Sequence, residues 1–125
     1  MSNTYYLKIK AEEKYYTLIN SILGVEANNT IYGWNYEVNV NGNDQPYDFI
    51  NEFCNLLDGK YEELNLLGIE RDDISIWKLY AYDQQCNMEF GPKEMKRLGD
   101  NGLTLCISCY ETGESDDDED DIEDW

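Results

Sequence analysis

Eight residues, Trp34 to Asn41, constrain this chain most. Trp34, Tyr36, Val38 and Val40 alternate with Asn35, Glu37, Asn39 and Asn41. Successive side chains of a strand point to opposite faces, so this segment has one apolar and one solvated side. Such a strand needs neighbours, and a second layer over its apolar side only. Three more segments fit. Tyr5, Leu7, Ile9 and Ala11 alternate with Tyr6, Lys8 and Lys10. Ile74, Ile76, Tyr80 and Tyr82 alternate with Trp77, Leu79 and Ala81, and apolar residues on both sides predict a central strand. Leu103, Leu105, Ile107 and Cys109 alternate with Thr104, Cys106, Ser108 and Tyr110 as the last strand.

Between these segments the apolar period becomes helical. Glu13 to Leu23 places Tyr15, Leu18, Ile19, Ile22 and Leu23 on one face, with Gly24 as the stop. Phe49, Ile50, Phe53, Leu56 and Leu57 line a second helix, capped by Asp44 or its neighbours with Pro46 in its first turn. Asp58-Gly59 either breaks or kinks it, because Lys60, Tyr61, Leu64 and Leu67 stay in phase. Gly91-Pro92 opens a short helix carrying Met95 and Leu98, which ends at Gly99-Asp100-Asn101-Gly102. The order is β-α-β-α-β-α-β. It predicts an α+β fold of two layers: a four-stranded, mostly antiparallel or mixed sheet with its helices on one face. The nearest architecture is a ferredoxin-like relative, departing from the plain βαββαβ order by the long second helix.

Charge divides the chain in two. The sequence holds 27 acids, 9 bases and no histidine, a net charge of −18. Residues 1–110 carry 17 of the acids and all 9 bases, while residues 111–125 carry 10 acids and no base. We expect one α+β domain over 1–110 and an acidic tail without fixed structure over 111–125, since a run of like charges repels itself and buries nothing. A polyanion repels nucleic acid, so direct nucleic-acid binding is not expected. The lack of histidine removes Ser–His–Asp and Cys–His catalysis and any His-ligated zinc. No segment approaches the ~20 apolar residues of a membrane helix. With no export signal either, the expected setting is the cytoplasm, with Cys54, Cys86, Cys106 and Cys109 reduced.

Leu23-Gly24-Val25-Glu26 after the first helix, Trp34 opening the second strand, the long helix, and the segment Phe90 to Gly99 followed by Leu103-Thr104-Leu105-Cys106-Ile107 form a pattern. Over roughly residues 4–110 it resembles a bacterial family of small proteins known only as a domain of unknown function, the forty-two-seventy-nine family. That resemblance implies a fold and brings no catalytic residues. Some such small acidic bacterial proteins sit beside toxin genes, which implies an immunity-type role.

The candidate chemistry is sparse. Cys106-Ile107-Ser108-Cys109 has CxxC spacing, but residues three apart on a strand face opposite ways, which suits neither a shared metal nor a disulfide. Cys54 reads as a small core filler beside Phe53 and Leu57. The pairs Glu12-Glu13, Glu62-Glu63 and Asp72-Asp73 read as solvated acids, with general acid–base or metal chemistry as the competing reading. No catalytic residue, cofactor or metal site is assigned. Tyr6, Trp77 and Tyr110 mark a protein-binding strand face, Tyr and Trp being favoured anchors. In the tail, Asp116, Asp117, Asp118, Glu119, Asp120 and Asp121 lead to Trp125. This segment reads either as a solubilising extension or as a charged leash that steers toward a basic partner and anchors through Trp125.

The expected function is a small acidic cytosolic binding protein: an immunity- or antitoxin-like inhibitor that covers a basic site on a toxin or nucleic-acid-acting enzyme. The expected state is a monomer or small homo-oligomer. The alternatives are a small-molecule or metal-dependent enzyme using carboxylates of residues 1–110, or a self-assembling structural subunit.

Overall fold

The computed structural model describes residues 2–31, 33–41, 47–82 and 88–111. Four strands, β1 (Ser2–Ile9), β2 (Trp34–Asn41), β3 (Ile74–Tyr82) and β4 (Thr104–Glu111), form one sheet in the order β2-β1-β3-β4. β1 pairs antiparallel with both β2 and β3, and β3 pairs parallel with β4, so the sheet is mixed. The helices are α1 (Tyr16–Leu23), α2 (Phe49–Leu57), α3 (Tyr61–Leu66) and α4 (Pro92–Asn101). Every link between consecutive strands passes through helix, and the fold is α+β with a four-stranded mixed sheet. The parallel β3–β4 pair uses the long crossover such a pair needs, through α4, whereas β1 and β2 are joined through α1 and still pair antiparallel.

The alternation read in the sequence sets the layers. Tyr5, Leu7, Ile9, Trp34, Ile74 and Ile76 are buried on one side of the sheet, against Ile19, Leu23, Phe49, Ile50, Phe53, Leu57, Leu64 and Leu98 from the helices. Tyr5 and Phe49 pack with ring centroids 4.9 Å apart, and Phe53 meets Tyr36 edge-on. The indole N–H of Trp34, otherwise lost to water, donates to Asn20 Oδ1 at 2.8 Å, and the same oxygen accepts from the Ala27 amide. One asparagine thereby fastens α1 and the chain after it to β2.

Several boundaries differ from the sequence reading. β1 ends at Ile9 rather than Ala11, where the Lys10 amide turns to the Asp73 carbonyl. The first helix opens with a 3-10 turn at Glu13–Tyr15. The two remaining turns of α1 present a narrow stripe, so Ile19 and Leu23 are buried while Leu18 is half exposed. α2 starts at Phe49, with Asp48 at its N-cap position; the Asp48 carboxylate accepts from Asn51 Nδ2 at 2.9 Å instead of from a backbone amide. Asp44 and Pro46 lie outside the described residues. Asp58-Gly59 does break the long helix: Gly59 takes a left-handed φ of +75°, and α3 resumes in phase so that Leu64 joins the core.

Candidate functional site

Among the described residues, the opposite side of the sheet carries no helix. Register places Thr4, Tyr6 and Lys8 of β1 beside Asn39, Glu37 and Asn35 of β2, and beside Leu79, Trp77 and Ser75 of β3. On β4, Thr104, Cys106 and Ser108 continue these rows. The central row is therefore Glu37–Tyr6–Trp77–Cys106. Tyr6 and Trp77 lie parallel, with centroids 5.5 Å apart and an interplanar angle of 6°. The Lys8 ammonium sits 5.9 Å from the Trp77 ring centre, and the Trp77 indole N–H donates to Ser75 Oγ at 2.8 Å. Both rings are only partly buried. The stack adds about 0.5–1.5 kcal/mol beyond its area, and it holds two large rings flat in a position that water still reaches.

Partial burial pushes the Tyr6 hydroxyl above the usual tyrosine range, with Cys106 and Glu37 adding to the effect. Burial likewise pushes the Cys106 thiol up, against the pull of Lys8. Neither group is poised to ionise near neutrality. Cys109 points to the other side of β4, and no disulfide joins it to Cys106. Cys54 is buried in α2, where burial raises its thiol pKa. Among the described residues no group of three or more Cys, Asp or Glu side chains is arranged to hold a metal ion, and no helix is long and apolar enough to cross a membrane.

Of the residues singled out in the sequence, Tyr6 and Trp77 are brought together. Tyr110 lies in β4 opposite Ala81, two places beyond Ser108, and its side chain is outside the described residues. Asp116, Asp117, Asp118, Glu119, Asp120, Asp121 and Trp125 are outside them as well, as is Cys86. The structure also separates rings from charge. Among the described residues of the strands, this face carries the acid Glu37 and the base Lys8, while Glu12, Glu13, Glu62, Glu63, Glu70 and Asp72 lie on the helices and the connections between elements.

Two features escaped the sequence reading. A cleft of about 710 Å³ beside α3 is lined by Tyr61, Glu62, Leu66, Ile69, Arg71 and Asp72 among others. Its only base is engaged. The Arg71 guanidinium lies 3.5 Å over the Tyr61 ring and donates to the Asn101 carbonyl. Tyr61 in turn donates to Asn101 Oδ1 at 2.6 Å, and burial pushes its pKa up to about 12. The second feature is Lys78, on the helix-covered side of β3, 5.6 Å from the Tyr5 ring centre and 5.2 Å from that of Tyr80.

The fold is a two-layer α+β protein whose uncovered sheet side, among the described residues, carries the stacked Tyr6–Trp77 pair. The chain matches no known family model, no curated protein and no solved structure.

Proposed function

We propose that this chain is a small acidic binding protein of the cytoplasm, an inhibitor of the immunity or antitoxin type that covers a basic site on a toxin or nucleic-acid-acting enzyme. The observation that carries this reading is the Tyr6–Trp77 stack, held flat and solvent-accessible on the side of the sheet that the helices leave open. Large rings with restricted rotamers bind at low entropic cost, which suits an interface anchor. Charge and anchoring fall to different regions. The net charge of −18 attracts a cationic partner over about a Debye length of ~8 Å in physiological salt. The nearly neutral ring face then makes short-range contact. The charge balance supports the inhibitor form of this reading.

The test uses the full-length chain as bait in extracts of its native host, alone and as Trp77→Ala. A partner with a basic surface is expected, retained at low ionic strength, weakened steeply by added salt and lost with Trp77→Ala. Retention indifferent to both salt and Trp77 would remove the proposal. A variant with Asp116 to Asp121 converted to Asn and Gln separates the two contributions: it is expected to slow association while leaving dissociation unchanged.

A further inference from the structure

The two outer edges of the sheet are finished differently. On β2, the Asn28 side chain both donates to the Glu37 carbonyl at 2.9 Å and accepts from the Glu37 amide at 2.7 Å. The amides of Asn28 and Asn29 also donate to the Asn35 carbonyl, and Asn29 Nδ2 reaches the Glu37 carboxylate at 2.8 Å. The connecting loop thus occupies the outward backbone groups of Asn35 and Glu37, where another strand would pair. Blocking of this kind is how sheets avoid unwanted growth.

Among the described residues, the Thr104 to Ser108 stretch of β4 has no such guard. From Thr104 to Ser108 it carries no charge, proline or glycine, and Ile107 is 37% exposed. Apart from the ladder to β3, the backbone groups of Thr104 to Ser108 have no hydrogen-bond partner among the described residues. Glu111 is the first charge on the strand, and nine further acids follow it in the sequence. An open edge of uncharged, partly β-branched residues is a template for one more strand.

We propose that the β4 edge receives an extended segment of a partner protein by strand addition. The segment is uncharged and β-branched beside Thr104 to Ser108, and basic where it passes Glu111. Charge selects this occupant over a second copy of the chain: self-pairing would bring together two molecules of net charge −18, whereas the same acids attract a basic flank. Antiparallel pairing is the stronger geometry per residue. It places the basic flank N-terminal to the added strand, because that strand runs against β4. Its side chains would continue the row Glu37–Tyr6–Trp77–Cys106, so the edge and the ring face form one surface. This proposal rests on the reading above for the basic nature of the partner, and adds the mode of recognition.

The full-length chain is to be panned against a phage-displayed library of short random peptides, and the selected peptides synthesised. Enriched sequences are expected to alternate β-branched residues and to carry Lys or Arg on their N-terminal side. Residue-resolved hydrogen exchange is expected to show amides of Thr104 to Ser108 slowed about tenfold or more by the peptide, with β2 unchanged. Methylating alternate peptide nitrogens is expected to weaken binding about tenfold or more, by removing main-chain bonds. Absence of enrichment, enrichment of acidic sequences, or protection confined to β2 or the helices would overturn the proposal. Protection of β4 that appears without peptide, together with a doubled mass, would overturn it in favour of a second copy. Capture of a basic partner that needs Trp77 but leaves β4 exchange unchanged would sink strand addition alone and leave the functional reading standing.

Discussion

The two sides of the sheet are built from the same strands by alternate residues, yet they do opposite work. On β1, Tyr5, Leu7 and Ile9 are almost without solvent contact, while Tyr6 and Lys8 between them are partly open. On the covered side an aromatic ring fills volume, and its polar atom needs an internal partner, as Trp34 finds in Asn20. On the open side Trp77 satisfies its indole N–H within its own strand, through Ser75, and stacks on a neighbour rather than sinking into a core. Core packing and solvent-facing ring stacking are thus separated by a single step along the chain.

That separation can be broken in graded ways. The largest expected effect is on the covered side. Trp34→Ala removes a fully buried ring and one of the two hydrogen bonds to Asn20 Oδ1, and should destabilise the fold by about 3–5 kcal/mol in urea denaturation. Next is Tyr61→Phe at the rim of the covered layer, which deletes the bond to Asn101 and should cost about 1 kcal/mol. Tyr61 also sets an alkaline limit. Its pKa is raised from 10.0 to about 12 by burial, so the folded state favours the protonated phenol. The stability this provides is complete below pH 10 and is lost as pH rises toward 12. Alkaline difference absorbance should show tyrosine ionisation extending toward pH 12, and Tyr61→Phe should remove one tyrosine from that late phase.

On the open side, Trp77→Ala should cost about 1 kcal/mol of stability, less than Trp34→Ala, since the ring lost is partly rather than fully buried. Partner affinity should fall more than the fold does, by about tenfold or more. Equal losses in stability from Trp34→Ala and Trp77→Ala would erase the distinction between the sides. The smallest effect concerns thiols. Cys106 is partly accessible and Cys54 is buried. Mass-spectrometric mapping of alkylation should find Cys106 modified in the native protein, and Cys54 only under conditions that unfold it.

Much of this architecture was legible in the sequence, because period-two and helical spacing report which side of an element is buried. Trp34 to Val40, Ile19 with Leu23, and Phe49 to Leu57 all follow that rule. The opposite directions of CxxC on β4 were legible for the same reason. Spacing does not encode which strands pair. The parallel β3–β4 contact and the interior place of β1 depend on how the helical connections span the sheet. Tyr6 and Trp77 were each readable as outward rings, but their stacking requires the β1–β3 register. Asn28-Asn29 read only as a loop, since nothing local reveals that an amide will reach a strand nine residues away. The trio of Tyr61, Arg71 and Asn101 was hidden likewise, its members being distant in sequence.

The Asn28 clamp has a consequence for assembly. Were β4 to take an added strand as proposed, the occupied groups of Asn35 and Glu37 would keep that stretch of β2 from accepting another, favouring a closed pair over an open-ended polymer. Removing the Asn28 side chain would free the outward groups of Glu37 and weaken that stop.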